Sequence, residues 1–209
     1  MAHIPDGVLS MPVLVGGGIV AAIGTAIALR RLDERTIPRA AIMAAGFFAV
    51  SLIAVPVGPS SVHLLMAGLM GLVIGVVAIP AVLVGLLLQA VLFGFGGLTT
   101  LGVNTANIAL PGVLLAALFV PFIARAPANR AGLLGGLCGA LSVAATGGGV
   151  ALALALSDSA YVPSAKIILA TYIPLMIGEG IITGFAIAFL KRVKPELLDT
   201  GWRHRAAEG

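Results

Sequence analysis

The first residue that could do chemistry is a histidine close to the start of the chain, in Met1-Ala2-His3-Ile4-Pro5-Asp6-Gly7. A free terminal amine, the amide nitrogens between it and His3, and the imidazole Nδ1 can wrap a divalent ion in fused chelate rings. Deprotonated amide nitrogens favour a square plane, which is typical of Ni²⁺ and Cu²⁺, and low-spin Co²⁺ suits it on the same reasoning. Pro5 lacks an N–H and fixes the chain direction, and Asp6-Gly7 predicts a turn.

A second histidine, His63, ends a Gly-Pro-Ser-Ser-Val stretch. With His3 it offers two ligand sets, which depend on whether Met1 is kept. If Met1 stays, the amine, the Ala2 and His3 amides and the His3 ring supply four nitrogens. If Met1 is removed, the Ala2 end supplies three nitrogens and His63 completes the plane. Alone, a ring at the end of a span is equally typical of the membrane interface.

The elements that position these histidines are membrane helices. Of the 209 residues 60% are hydrophobic and 10% are charged, and the mean hydropathy is +1.16, whereas a soluble domain carries about 25% charged residues. Lipid is therefore the expected solvent. The twelve Lys and Arg residues fall in short runs between apolar stretches, which argues against nucleic acid as a partner. The single Cys138 excludes an internal disulfide and predicts a packing residue.

Most spans are easy to place. Five apolar segments are long enough, or nearly so, to cross about 30 Å of hydrocarbon. They are Leu9 to Leu29, Ile37 to Val57, Ile108 to Ala124, Gly132 to Leu156 and Ile167 to Leu190. Asp6 is the only charge before Arg30, so no cleavable signal peptide is predicted and the N-terminus is expected in the mature protein.

The stretch from Val62 to Phe93 is ambiguous, because its 32 uncharged residues would form one helix about 48 Å long. Pro80 in its middle predicts a hairpin between two spans. With that hairpin and an outer N-terminus, eleven of the twelve basic residues face the cytoplasm and Lys166 alone lies outside. The positive-inside rule therefore predicts an all-α protein with seven transmembrane helices and a cytoplasmic C-terminus. It places His3 and His63 on one outer face.

This arrangement predicts one domain over residues 1–209, with an extracytoplasmic metal-binding segment at 1–8 and a cytoplasmic tail at 193–209. The chain has no GxxxxGK[ST] loop, so no bound nucleotide is expected. It has no GxSxG or HExxH motif either, which argues against an enzyme. The glycine pairs Gly71/Gly75 and Gly180/Gly184 predict close helix packing within the bundle.

Several segments together resemble the CbiM/NikM family, the substrate-binding membrane subunits of energy-coupling-factor cobalt and nickel transporters. They are His3-Ile-Pro-Asp-Gly-Val-Leu-Ser10, Gly58-Pro-Ser-Ser-Val-His-Leu-Leu65, Gln89-Ala-Val-Leu-Phe93, Gly96-Gly-Leu-Thr-Thr-Leu-Gly-Val-Asn104 and Pro174-Leu-Met-Ile-Gly-Glu-Gly-Ile-Ile-Thr183. The similarity covers nearly the whole chain.

The resemblance implies a seven-helix subunit that captures Co²⁺ or Ni²⁺ from outside, with its N-terminus folded into the bundle. In the family the metal is held by the N-terminal amine, the backbone nitrogen and ring of the next histidine, and a histidine of the third helix. These roles map onto Met1 or Ala2, His3 and His63. Ala2 departs from the family's Met-His start, and removal of Met1 would restore the spacing of amine and histidine.

The resemblance also implies partners in a bacterial plasma membrane: a transmembrane coupling subunit, a pair of cytoplasmic ATPases and a small accessory membrane subunit. These partners account for the missing nucleotide loop. Four planar nitrogens favour Ni²⁺, whereas the similarity leans to the cobalt branch, so both metals stay open. The alternative is a self-sufficient divalent-metal channel or carrier, which predicts metal flux through this chain alone.

Four polar residues are candidates for the surroundings of the metal. Asn104 and Asn107, in a predicted outer loop from Phe93 to Ile108, could orient the imidazole rings or cap the loop. Asp6 could do the same or neutralise the ion. Glu179 is the one acid well inside a span, and its depth predicts a function without assigning it as a ligand.

Overall fold

The described chain is helical almost throughout. The computed structural model describes residues 3–53, 55–57 and 60–198, with the backbone alone at 55–57, 60–62 and 166. Its α-helices are α1 Met11–Leu29, α2 Thr36–Ser51, α3 Ala67–Ile74, α4 Ala78–Phe93, α5 Leu101–Arg125, α6 Ala128–Ser157 and α7 Val162–Val193. Two short antiparallel strands, β1 Val55–Val57 and β2 Ser60–Val62, lie between α2 and α3. Short 3-10 turns follow α3, α6 and α7.

Five helical stretches of the described residues are long and apolar enough to cross a membrane. They are Met11–Leu29, Ala67–Phe93, Leu101–Arg125, Ala128–Ser157 and Ser159–Val193. The α2 helix is apolar but shorter. Large apolar side chains such as Ile42, Leu133 and Phe185 are exposed, and an exposed apolar surface of this extent is typical of contact with lipid. The chain is therefore an all-helical polytopic membrane protein.

Contacts near the helix ends set the directions of the helices. The Ser10 N–H, just before α1, donates to Ser157 Oγ at the end of α6 at 3.1 Å, and α5 begins nearby at Leu101. We call this side of the bundle, defined by Ser10, Leu101 and Ser157, the histidine end. At the opposite side, Lys191 Nζ donates to the Ala124 carbonyl at 2.7 Å, so α5 and α7 finish together. We call that side the basic end.

The α3 and α4 helices run in opposite directions. Along α3 and α5, Gly112 packs against Ala67 and Ala116 packs against Gly71, so these two helices run in parallel, away from the histidine end. The α4 helix leads into residues 94–100, which return to the start of α5. It therefore runs back towards the histidine end, and the chain reverses between α3 and α4.

The reversal occurs at Gly75 and not at Pro80 as predicted. Gly75 has φ 58° and ψ −136°, a backbone conformation that glycine adopts without a side-chain clash. Pro80 lies in the first turn of α4, where the missing N–H removes no helical hydrogen bond. The segment does break, but five residues earlier than the proline indicates.

The α2 helix is shorter than predicted. It ends at Ser51 and not at Val57, and Pro56 lies in β1. A proline removes a backbone donor and disfavours helix at the residue before it. The chain between α2 and α3 therefore contains a short β-ribbon where a continuous span was expected.

Small residues let α6 and α7 pack along their length. A methyl group added at Gly136 would lie 2.7 Å from the Gly180 carbonyl oxygen, and one at Gly132 would lie 3.0 Å from that of Gly184. The predicted packing role of the Gly180/Gly184 pair is thus confirmed. Cys138, also on α6, is a buried free thiol, as expected of a packing residue.

We expect Gly71→Ala to destabilise the bundle, because the new methyl group would lie 2.2 Å from the Gly112 carbonyl oxygen. Overpacking against backbone typically destabilises by about 1–3 kcal/mol, which thermal unfolding in one detergent would show as a lower midpoint. Gly148→Ala is the matched control, since a methyl group there meets no atom within 4 Å. Equal midpoints for Gly71→Ala and the unchanged protein would contradict the packing described.

Candidate functional site

His3 and His63 stack face to face at the histidine end. Their ring centroids are 4.7 Å apart and the ring planes are inclined by 21°. Both side chains are buried. The structure thus brings together two histidines that lie in separate segments of the sequence, one before α1 and one between β2 and α3.

The ring nitrogens of this pair are largely unpaired. His3 Nδ1, His3 Nε2 and His63 Nε2 are buried without a hydrogen-bond partner. His63 Nδ1 lies 3.3 Å from the Leu64 carbonyl oxygen, which favours a proton on Nδ1 and leaves a lone pair on Nε2. Buried polar atoms in native proteins are nearly always satisfied, and imidazole nitrogen is a common ligand of transition metals. The pair therefore offers nitrogen donors to an electron-pair acceptor.

Burial keeps both rings in the neutral form. Loss of solvation, together with the neighbouring His63, lowers the pKa of His3 to about 3. Burial also lowers the pKa of His63, against the opposing effect of its hydrogen bond to Leu64. Neutral imidazole is the form that binds metal, so neither ring has to lose a proton near neutral pH.

The α5 helix holds the N-terminal segment by its backbone. Asn104 Oδ1 accepts the Ile4 N–H and Asn104 Nδ2 donates to the Ile4 carbonyl, both at 3.0 Å. Thr100 Oγ1 donates to the same carbonyl at 2.7 Å. Because Ile4 is fully paired and its side chain is buried, the adjacent His3 is fixed in place.

Asp6 fastens the same segment to the start of α5. Its carboxylate accepts the backbone N–H groups of Leu98, Thr99 and Thr100 and the Thr99 hydroxyl. A negative charge is favourable where a helix begins. The hydrogen bond from the Thr99 side chain is the largest of the effects that lower the pKa of Asp6, so the carboxylate is charged at neutral pH.

Two glycines shape the loop around these contacts. Gly96 has φ 75°, and a methyl group there would lie 3.2 Å from His3 Cβ. At Gly97 a methyl group would lie 2.0 Å from Asp6 Oδ1. In the sequence analysis these glycines are noted only as part of the family resemblance. A Gly-Gly pair shortly before a helix is a further signal that two backbones approach closely.

The two asparagines differ in what they do. Both belong to α5, which begins at Leu101, seven residues before the predicted Ile108, so the predicted loop position is wrong. Asn104 contacts the backbone of Ile4, and Asn107 lies beside a groove of about 350 Å³ between α5 and α6. Among the hydrogen bonds of the described residues, neither asparagine reaches an imidazole ring.

Glu179 also acts on backbone and not on a ring. From α7 its carboxylate accepts the N–H groups of Leu65 and Met66, the latter at 2.7 Å. The side chain is only 1% exposed. Its partners lie two and three residues beyond His63, so the acid is joined to the segment that carries the second histidine.

Within the part of the chain that the structure describes, no third His, Cys, Asp or Glu joins the two histidines. Met1 and Ala2, assigned to the same site from the sequence, lie outside the described residues, as does the tail beyond Leu198. Among the described His, Cys, Asp and Glu side chains, the site therefore consists of the two imidazoles.

This geometry defines a class of protein: a helical membrane bundle whose N-terminal segment folds back and brings one histidine against a second, buried histidine. The family model of CbiM, described as cobalt uptake substrate-specific transmembrane region, matches residues 3–197. The chain belongs to the CbiM family, as the resemblance in its motifs indicates.

Similar proteins agree with this membership. A protein of Haemophilus influenzae named for metal transport is 37% identical over 199 residues, which are 94% of this chain and 97% of that protein. The cobalt transport protein CbiM of Sorangium cellulosum is 33% identical over 94% of both chains. The fused nickel transport protein NikMN of Rhodobacter capsulatus is also 33% identical, over 94% of this chain and 63% of that protein.

Among solved structures, the crystal structure of a transition metal transporter has a similar fold. It matches 99% of this chain and 100% of its own chain with a TM-score of 0.73 at 23% identity. The shared fold extends over nearly the whole chain.

We expect both imidazoles of the metal-free protein to stay neutral well below pH 6.5 while the N-terminal segment is docked. A released ring has a pKa near 6.5, whereas that of docked His3 is about 3. The released state therefore binds more protons in this window, and docking weakens as the pH falls below 6.5. Nitrogen NMR of labelled histidines from pH 7.5 to 5 measures this. Rings that titrate near 6.5 while the Ile4 amide stays protected from exchange would contradict the expectation.

Proposed function

We propose that this chain is the substrate-binding component of an energy-coupling-factor transporter and captures Co²⁺ or Ni²⁺ outside the cell. The observation that carries the proposal is the stacked pair of His3 and His63, with three buried ring nitrogens that have no partner. Imidazole suits both metals. The CbiM family model and the names of two relatives, cobalt transport protein and nickel transport protein, support the same cargo.

Two imidazoles leave a metal ion short of ligands, and the N-terminus supplies the others in this proposal. If Met1 is absent, the Ala2 amine, the His3 amide and the His3 ring supply three nitrogens, and His63 completes the plane. If Met1 is kept, its amine, the Ala2 and His3 amides and the His3 ring supply all four. The hydrogen bonds from Asn104 to the backbone of the segment support this arrangement, since they hold the start of the chain beside the pair. Intact mass of the purified, untagged chain identifies the residue that carries the amine.

The proposed topology has seven membrane crossings with the histidine end outside. Nine basic residues support it by lying in or within one helical turn of the α1–α2 and α5–α6 connections, or at the end of α7. They are Arg30, Arg31, Arg35, Arg39, Arg125, Arg130, Lys191, Arg192 and Lys194. Among the basic residues of the described chain, Lys166 alone lies towards the histidine end, near the start of α7. The positive-inside rule therefore assigns the basic end to the cytoplasm.

The third crossing needs no full-length helix. All eight residues of α3 are buried, and so is Leu65 before it. Irregular backbone is tolerated at membrane depth where protein surrounds it. One domain then has an extracytoplasmic metal-binding segment at residues 1–8 and a cytoplasmic tail at 193–209.

Energy for uptake comes from partners in this proposal: a transmembrane coupling subunit, a pair of cytoplasmic ATPases and a small accessory membrane subunit in a bacterial plasma membrane. The sequence has no P-loop, which supports a division of labour. The match to 63% of the fused NikMN protein supports it as well, because that relative carries additional chain beyond the part shared here.

We expect His3→Ala and His63→Ala each to weaken Co²⁺ or Ni²⁺ binding by more than about 100-fold, beyond the 10- to 100-fold typical of a residue that only supports a ligand. Calorimetry on the purified, untagged chain measures binding, and metal uptake by cells expressing the full complex measures function. His204→Ala is the matched control and should bind as the unchanged protein does. Undiminished binding by His3→Ala would remove the basis of the proposed site.

Proteoliposomes that contain this chain alone should bind the metal without accumulating it. The described chain has too few buried charges to couple metal to another ion, and the sequence provides no nucleotide site. Addition of the coupling subunit, the ATPases and ATP should then start uptake. Metal flux through the chain alone would favour the self-sufficient channel or carrier instead.

A further inference from the structure

We infer that Glu179 is a positioning residue for the metal site, because it holds the segment from His63 to Met66 so that the His63 ring faces His3. The inference rests on the proposed metal-binding function and adds to it a residue of α7 that contacts neither ring. The acid acts through backbone hydrogen bonds two and three residues away from the ligand.

The segment from His63 to Met66 has no regular secondary structure of its own. It follows β2, which ends at Val62, and precedes α3, which begins at Ala67. Among the described residues, no strand or helix includes His63 to Leu65, so regular secondary structure does not fix the direction of the His63 ring. Leu65 is fully buried within this segment, and its N–H donates to Glu179.

Met66 shows why the segment needs an outside partner. With φ 50° and ψ 14°, it is the one non-glycine residue of the described chain with a positive φ. A residue with a side chain rarely adopts this region unless its surroundings impose it. The N–H of Met66 donates to the same Glu179 oxygen that accepts the Leu65 N–H, so one carboxylate holds the two peptide units on either side of Leu65, directly before the turn at Met66.

The same carboxylate caps α3 from another helix. Met66 is the N-cap residue of α3, and its side chain makes no capping hydrogen bond. An oxygen that accepts an N–H group where a helix begins satisfies a donor that has no partner within the helix. Glu179 thus fixes the start of α3 and the segment before it with one side chain.

Close packing of three helices brings the acid within reach. A methyl group added at Gly68 of α3 would lie 2.6 Å from the Gly139 Cα of α6. One added at Gly139 would lie 3.1 Å from the carbonyl oxygen of Glu179. Because neither glycine has a side chain, α3, α6 and α7 meet at the depth where the carboxylate crosses to Leu65.

The test compares metal affinity across matched variants of the full chain. Glu179→Ala should weaken Ni²⁺ binding by about 10- to 100-fold, the range typical of a residue that supports a ligand. Glu179→Gln keeps an acceptor oxygen at the same distance and should restore most of the affinity. Thr183→Val, on the same helix, is the control: its buried hydroxyl has no partner, so its loss should leave affinity unchanged.

A double-mutant cycle separates positioning from loss of fold. If Glu179 acts through His63, Glu179→Ala should add no further loss in a His63→Ala background, where residual binding by the N-terminus is measured at high metal. The visible absorption of the bound Ni²⁺ should also change in Glu179→Ala, because the ligand plane is disturbed. A structural role alone would lower affinity equally in both backgrounds.

Each failure has its own meaning. If His63→Ala binds metal normally, the metal site that includes His63 fails, and the inference fails with it. If His63→Ala loses binding while Glu179→Ala binds like the unchanged protein, the inference alone is overturned. An equal loss in both backgrounds, or no rescue by Glu179→Gln, also overturns the positioning role.

Discussion

The candidate site depends on the pairing between the backbone of Ile4 and the side-chain amide of Asn104. A segment at the end of a chain has neighbours on one side only, and ordering its backbone costs about 1–2 kcal/mol per residue. Both backbone groups of Ile4 find partners on α5, and the Asp6 carboxylate adds the N–H groups before that helix. Through these bonds His3 is held against the bundle instead of moving in solvent.

The second histidine is held from a different direction. His63 precedes a segment whose N–H groups are bound by Glu179 of α7, whereas His3 is held by α5. The distance between the rings therefore depends on how α3, α5 and α7 pack. Glycines at the contacts of α3 with α5 and α6, including Gly68, Gly71 and Gly112, remove the side chains that would separate the helices. The glycines that let the helices pack closely therefore also determine how far apart the two histidine rings lie.

Much of the fold could be predicted, because apolar length and the spacing of basic residues are properties of the sequence itself. The sequence predicts the break between α3 and α4, but it places the break at Pro80, whereas the chain reverses at Gly75. A proline is a local signal that the first turn of a helix also tolerates, whereas the positive φ of Gly75 is open to any glycine and does not distinguish it from the other glycines of the segment. The sequence likewise predicts a loop at Asn104. In the structure Asn104 lies in α5 and pairs with the backbone of Ile4, a partner that the sequence does not reveal.

The histidine pair could be predicted from residue types, but its supports could not. Asn104, Asp6 and Glu179 stand out in the sequence as polar groups near a site. Their partners are backbone N–H and carbonyl groups, which every residue has and which leave no trace in a motif. Asn104 is predicted either to orient an imidazole ring or to cap the loop, whereas in the structure it holds the chain that carries the ring.

The donor set also limits which ions the proposed site can accept. Among the described residues no carboxylate joins the two rings, and the Asp6 oxygens are already engaged by Leu98, Thr99 and Thr100. Mg²⁺ and Ca²⁺ require several oxygen ligands, so neutral nitrogen donors discriminate against them. A divalent transition metal that binds the two imidazoles brings two positive charges into the buried site. Deprotonated amide nitrogens of the N-terminus would offset that charge while completing the plane, which ties selectivity for Ni²⁺ or Co²⁺ to the same docked segment that delivers His3.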